Sequence, residues 1–306
     1  MKLGLRGLIA APFTPLTEDG SLDLPGIDRL CEHLLRLGCS GAFVCGTTGE
    51  GVSLTVAERM AVAARWIASA PDGFPVLIHC GALSLPDARA LAHHAHRIGA
   101  QGVSVTPPCF LKPATEDDVL DWLAAVANAC PGLPVTYYHI PSLTGVAVRM
   151  LPLIARALER VPNFGGIKFT HEDLHDYGRC VAAYGDALDL AFGRDESLLP
   201  ALSVGAVVAV GSTYNVAAPL YLRLMDAFAR GDITGANALQ EQSRAMIDIC
   251  IRHRAQPAMK ALLGLQNVPC GPCRLPLRTL SAAETESLRA DLAALPIGDA
   301  LLTGWR

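Results

Sequence analysis

The amino-acid sequence predicts an α/β fold, a (β/α)8 TIM barrel with a helical segment appended at its C-terminal end. Eight short apolar or β-branched runs recur along the chain, at 7–11, 41–45, 75–80, 102–106, 134–138, 164–168, 188–192 and 206–210, with stretches of helical periodicity between them. Strands that are apolar on both faces and separated by helices mark parallel βα units. Eight such units close into a barrel. A doubly wound open sheet needs fewer units, and the G-x-G-x-x-G of its dinucleotide-binding form does not follow the first run.

Taken in order, the first run is preceded by Lys2 and Arg6 and faintly resembles a signal peptide, but Leu8-Ile9-Ala10-Ala11 is too short an apolar core and Pro12 ends it. It reads as the first core strand. Helical patterns at 27–37, 57–68, 87–98 and 116–129 separate the first five strands. Residues 197–222 carry no charge, and hydropathy alone would make them a membrane span. Pro200, Gly205, Gly211, Asn215 and Pro219 break the stretch instead into a short helix, a strand and a loop. Helices are then expected at 220–229, 233–251, 257–265 and 282–295, more than one barrel unit uses. The expected division is a catalytic barrel over residues 1–230 and a helical extension over 231–306 that packs on it and helps assembly.

The chain has 306 residues, with 25 Lys and Arg against 29 Asp and Glu and a net charge of -4. That balance argues against nucleic acid or an anionic membrane as partner and leaves a small molecule. Most of the ten cysteines sit in apolar runs, as Cys31, Cys45, Cys80 and Cys180 do. They read as small buried hydrophobes in a reducing compartment, so a cytoplasmic location is expected. Cys270 and Cys273 form a C-x-x-C around Gly271-Pro272, yet no second pair follows at zinc-ribbon spacing. His93, His94 and His96 share one helix, whose spacing puts only His93 and His96 on one face, and they read as surface residues.

Chemistry is expected where the strands end, at the carboxyl face of the barrel. Lys168 closes the sixth run and is followed by Phe169 and Thr170. A lysine placed in the core pays a large desolvation penalty as an ammonium, so its pKa should fall towards neutrality and its amine should become nucleophilic. Such an amine attacks a ketone, and the resulting iminium drains electrons from a neighbouring carbon–carbon bond. The second strand runs into Gly46-Thr47-Thr48-Gly49-Glu50, a glycine-flanked turn whose backbone N–H groups suit a carboxylate. The fifth strand ends in Tyr137-Tyr138-His139, the seventh in Gly193-Arg194-Asp195-Glu196, and the eighth in Gly211-Ser212-Thr213. A nucleophile, a candidate proton carrier, an anion cradle and a set of hydroxyls thus point at one mouth.

These residues resemble the N-acetylneuraminate lyase and dihydrodipicolinate synthase superfamily of Schiff-base aldolases, over essentially the whole chain. Within it, GTTGEGVSLTVAER at 46–59, GALSL at 81–85, YYHIPSLTGV at 137–146 and GSTYN at 211–215 are similar to sialic acid lyases. The resemblance implies Lys168 as the imine-forming residue and Tyr138 as the proton carrier. It implies that Thr47 and Thr48 hold the keto-acid carboxylate, with Thr48 also orienting the Tyr138 hydroxyl. Thr170, Gly193, Asp195, Glu196 and Ser212 would face the hydroxyl chain of the sugar. No cofactor or metal is implied, and a homotetramer is. The chain departs from many relatives at Pro107-Pro108-Cys109-Phe110, where a tyrosine would be lent to a neighbouring subunit. Leu143 stands where dihydrodipicolinate synthases carry an arginine for a second carboxylate, which favours a neutral polyol aldehyde. A sister aldolase for another 2-keto-3-deoxy sugar acid, or a non-catalytic keto-acid-binding protein on the same scaffold, are the alternatives.

Overall fold

A computed structural model describes residues 1–305 of the chain. Eight parallel strands close in chain order into a barrel: β1 (Gly7–Ala10), β2 (Gly41–Val44), β3 (Val76–His79), β4 (Gly102–Val105), β5 (Val135–His139), β6 (Phe164–Phe169), β7 (Asp189–Phe192) and β8 (Val208–Gly211). Each lies within two residues of its expected run. The helices are α1 (Leu24–Arg36), α2 (Val56–Ser69), α3 (Leu85–Arg97), α4 (Glu116–Ala127), the single turn α5 (Pro141–Thr144), α6 (Met150–Arg160), α7 (Leu174–Tyr184), α8 (Leu198–Ser203), α9 (Tyr214–Ala229), α10 (Ile233–Arg252), α11 (Gln256–Leu265), α12 (Ala282–Ala293) and α13 (Gly298–Thr303).

Strand alternation sorts the core into two compartments. Leu8, Ala10, Val44, Ile78, Val105, Ile167, Phe169 and Phe192 point outward to the helices, while Ile9, Ala11, Phe43, Leu77, Tyr138, Ala191 and Val210 fill the barrel interior. At the amino end the carboxylate of Asp189 accepts the N–H groups of Leu3 and Leu5, which ties the first residues across the barrel floor.

The phase of β6 is set by a bulge. Val135 pairs with Phe164 but Thr136 pairs with Gly166, so Gly165 is an extra residue and Tyr138 comes opposite Lys168. A β-strand that gains one residue turns every later side chain to the other face. Without Gly165 as the extra residue, Lys168 would point at the helix layer.

α9 differs from expectation: it starts at Tyr214, not near residue 220, and is kinked at Ala217 (φ -142°). Pro219 has no N–H to give the carbonyl of Asn215 four residues earlier. His33 Nε2, 2.8 Å away, bonds that carbonyl instead, and the helical turn before the proline survives. The uncharged stretch 197–222 is therefore a short helix, a strand and the first half of α9, and no helix among the described residues is long and apolar enough to cross a membrane. Arg274 ties the C-terminal part back to the barrel, donating to Glu58 at the start of α2 and to the carbonyls of Ser53 and Gly20. The Glu58 carboxyl is held down at about 2, chiefly by that guanidinium.

Candidate active site

Lys168 and Tyr138 are register partners on β6 and β5, both inside the barrel near its carboxyl end, and Lys168 is only 4% exposed. Its Nζ lies 4.2 Å from the ring centre of Phe43 and 4.1 Å from that of Tyr138. Ring faces attract a cation without offering it an acceptor of the carboxylate kind. Lys168 makes no ion pair and no hydrogen bond among the described residues, so nothing competes for the nitrogen lone pair once the proton leaves. Tyr138 also meets Phe43 and His79 edge-on, at 5.5 and 5.6 Å between ring centres. Burial, reinforced by the charges of Arg59 and Lys168, keeps His79 neutral. The hydroxyl of Tyr138 has no protein partner among the described residues. The hydrogen bond expected from Thr48 to Tyr138 is thus not formed, since the Thr48 hydroxyl is unpartnered as well.

The turn after β2 is built for an anion. Cys45 and Glu50 adopt left-handed backbone at φ 59° and 54°, and a Cβ on Gly51 would come 2.0 Å from the Cys45 carbonyl oxygen. The carbonyls face away from the mouth: Gly51 N–H donates to Gly46, Glu50 N–H to Thr47, and the Thr14 hydroxyl to Gly49. The N–H groups of Thr47, Thr48 and Gly49 donate to nothing among the described residues. Successive free amides of this kind form an anion-binding concavity. Thr47 is exposed and Thr48 buried. Beside them a cavity of about 270 Å³ opens between β2 and β5, lined by Gly46, Thr47, His79, Thr106, Cys109 and Leu143 among others.

The opposite wall holds the polar group. Thr170 follows Lys168 by two residues and so faces the same way, with a buried hydroxyl that has no partner among the described residues. Gly193 makes room for it, since a Cβ there would sit 2.0 Å from Thr170 Oγ1. Asp195 is buried and accepts from Thr213 N–H (2.9 Å) and Thr213 Oγ1 (2.6 Å) through Oδ2, while Oδ1 has no partner among the described residues. Burial pushes its carboxyl up to about 6, against the lowering effect of the Thr213 bonds. Gly211 is required beside it, because a Cβ would lie 1.9 Å from Asp195 Oδ1. Tyr221 backs Thr213 at 2.7 Å. Glu196 is half-buried and paired with Arg194 at 2.7 Å, and the half-buried Ser212 at the end of β8 has a hydroxyl without a partner among the described residues. All nine residues expected from the sequence therefore lie on the strand ends or loops of one mouth.

The dihydrodipicolinate synthetase family model matches residues 4–295. The chain belongs to the dihydrodipicolinate synthetase family. The human N-acetylneuraminate lyase is 42% identical over 299 residues, spanning 96% of this chain and 93% of its own. The N-acetylneuraminate lyase of Sus scrofa is 40% identical over 301 residues, 97% of this chain and 94% of its own. In three dimensions the chain superimposes on the N-acetylneuraminate lyase of Proteus mirabilis with a TM-score of 0.91 at 38% identity, covering 94% and 97% of the two chains. The N-acetylneuraminate lyase (sialic acid aldolase) of Aliivibrio salmonicida gives 0.92 at 37% identity, covering 95% and 96%.

Phe43, Gln256 and Lys260 were not read from the sequence, and Glu50 was read only as the end of the 46–50 turn. Phe43 forms one wall of the lysine niche, and inside the apolar run 41–45 nothing local marked its inward phase. Glu50, Lys260 and Gln256 meet across the fold: Lys260 Nζ lies 3.0 Å from Glu50 Oε1, more than two hundred residues apart in the chain, and no local pattern announces such a pair. In the C-x-x-C, burial raises the Cys270 thiol to about 12 and the Cys273 thiol to about 11.

Proposed function

We propose that this protein is a class I aldolase that cleaves N-acetylneuraminate reversibly to N-acetylmannosamine and pyruvate. The observation that carries the reading is a buried lysine, walled by the Phe43 and Tyr138 rings and facing a loop of amides across the same mouth, with neither the lysine nor the amides paired among the described residues. The carboxylate of the open-chain sugar acid sits on the amides of the 47–49 turn, which sets its C2 ketone against Lys168. The amine adds to C2, water leaves, and an iminium forms. The Tyr138 oxygen, as the tyrosinate left when its own proton has gone to water, takes the C4 hydroxyl proton, directly or through the substrate carboxylate. The C3–C4 bond breaks, its electrons move to the iminium as an enamine, and the aldehyde departs. Tyr138 returns the proton to C3, and water hydrolyses the imine to release pyruvate and restore the amine. Thr170, Gly193, Asp195, Glu196 and Ser212 line the wall where the hydroxyl tail lies.

The covalent imine is itself the electron sink, so the mechanism invokes no cofactor or metal. The same reading makes residues 1–230 the catalytic unit, 231–306 an extension packed on it, and the assembly a cytoplasmic homotetramer. Val52, Leu83, Phe110, Leu111 and Leu143 support self-association, being large apolar side chains left exposed around the mouth. A related aldolase for another 2-keto-3-deoxy sugar acid would share Lys168 and Tyr138. Identity of about two fifths to N-acetylneuraminate lyases over nearly full length favours sialic acid. The test is turnover of N-acetylneuraminate with pyruvate release followed by coupled reduction to lactate. Robust turnover supports the assignment, and turnover of other sugar acids alone transfers it to the sister activity.

A further inference from the structure

The C-terminal extension grips both ends of the anion-binding turn. Gln256, the first residue of α11, donates from Nε2 to the Thr47 carbonyl at 2.6 Å and to the Thr48 carbonyl at 3.3 Å. Lys260 lies one helical turn further on the same face and is ion-paired to Glu50, with both side chains almost fully buried. Lys260 also donates to the Pro272 carbonyl at 2.6 Å, and the second Glu50 oxygen accepts Arg274 N–H at 2.7 Å. The backbone that delivers Gln256 is unusual: Arg254 and Ala255 have φ of 71° and 51°, and Ala255 has ψ of -94°. Such sparsely populated conformations persist only where the surroundings over-determine them.

A trans peptide points its C=O and its N–H to opposite sides. Holding the Thr47 carbonyl against α11 therefore turns the Thr48 N–H the other way, and holding the Thr48 carbonyl does the same for the Gly49 N–H. Neither N–H has an acceptor among the described residues. A donor on the carbonyl also polarises the peptide and makes its N–H a better donor. We infer that Gln256 is a positioning residue for the substrate carboxylate, acting through the 47–48 and 48–49 peptides, with the Lys260–Glu50 pair fixing the far end of the turn. The inference rests on the aldolase reading and adds a residue to it that touches no substrate.

Borohydride trapping of the full-length protein tests it with two ketones, pyruvate and acetone, the second lacking a carboxylate. Gln256→Ala removes the donor, and the isosteric Gln256→Glu removes it while keeping the side chain's size. Both variants should raise the pyruvate concentration for half-maximal trapping by roughly tenfold, the scale of one lost hydrogen bond to a charged group. The rate of trapping with acetone should stay at the wild-type value, and in steady state KM for the sugar acid should rise much more than kcat falls. A merely structural role would slow both ketones together or leave both unchanged, and either result overturns the inference. Failure of the wild type to be trapped by pyruvate at all would instead remove the aldolase reading beneath it.

Discussion

Lys168 and Tyr138 share one geometry but divide its consequences. The Tyr138 ring faces the ammonium, while its hydroxyl is free for proton transfer. Tyr138→Phe keeps the ring and removes the hydroxyl, so pyruvate trapping should persist while turnover falls by ~10²–10⁴-fold, the usual range for a lost general acid–base group. Steady-state kinetics beside trapping would show the split. Asp195 shows the opposite tension between stability and function. Its carboxyl is raised from 3.8 to about 6 by burial, so folding favours its protonated form. Its contribution is then fully present below the unfolded value and is lost as pH rises through the folded one, which leaves a cost of about 3 kcal/mol at neutral pH. Asp195→Asn keeps an acceptor for Thr213 and removes the charge. In urea unfolding the variant should be the more stable protein at pH 7.5, with the advantage fading as pH falls through 6 towards 4. An advantage that is absent, or independent of pH, would contradict the cause assigned to the shift.

The eight strands were legible in the sequence because both faces of each are apolar, and a run of five such residues between helical patterns has few other readings. The direction of each side chain was less legible. In β6 the pattern Phe164-Gly165-Gly166-Ile167-Lys168 looks like an unbroken strand, and two glycines leave no apolar signal for the phase. The bulge at Gly165 decides it, and with it whether Lys168 enters the barrel. Gly166 is held even more tightly, as a Cβ would lie 1.9 Å from the Asp189 carbonyl oxygen. Gly166→Ala must push β6 from β7, at a cost on the order of 3 kcal/mol, the upper range for overpacking a core. Since the displaced strand bears Lys168, imine formation should fall along with the melting temperature. Full trapping in a destabilised Gly166→Ala would mean that the lysine's position tolerates a shifted strand.

Across the whole molecule the site depends on contacts that no local sequence pattern records. Thr47, Thr48 and Lys168 could be picked out as strand-end residues, but Glu50 finds its counter-charge in Lys260 on α11, after the barrel is complete. Among the described residues four helices, α10 to α13, follow the barrel, and besides Gln256 and Lys260 on α11 the loop at Arg274 also reaches the turn after β2. Lys260→Met leaves the Glu50 carboxylate buried without its cation, and breaking a buried pair from one side costs about 3–5 kcal/mol. The unfolding midpoint in urea should drop accordingly. A loss below about 1 kcal/mol would show that the pair is solvated and does not clamp the turn.

The central claim, that Lys168 is the residue joined to the keto acid, is tested most directly by reducing the protein with borohydride in the presence of pyruvate and mapping the modified peptide. The account predicts a single reduced pyruvyl adduct, on Lys168, with loss of activity in proportion to its formation. An adduct on another lysine, or an unmodified and fully inactivated protein, would contradict it.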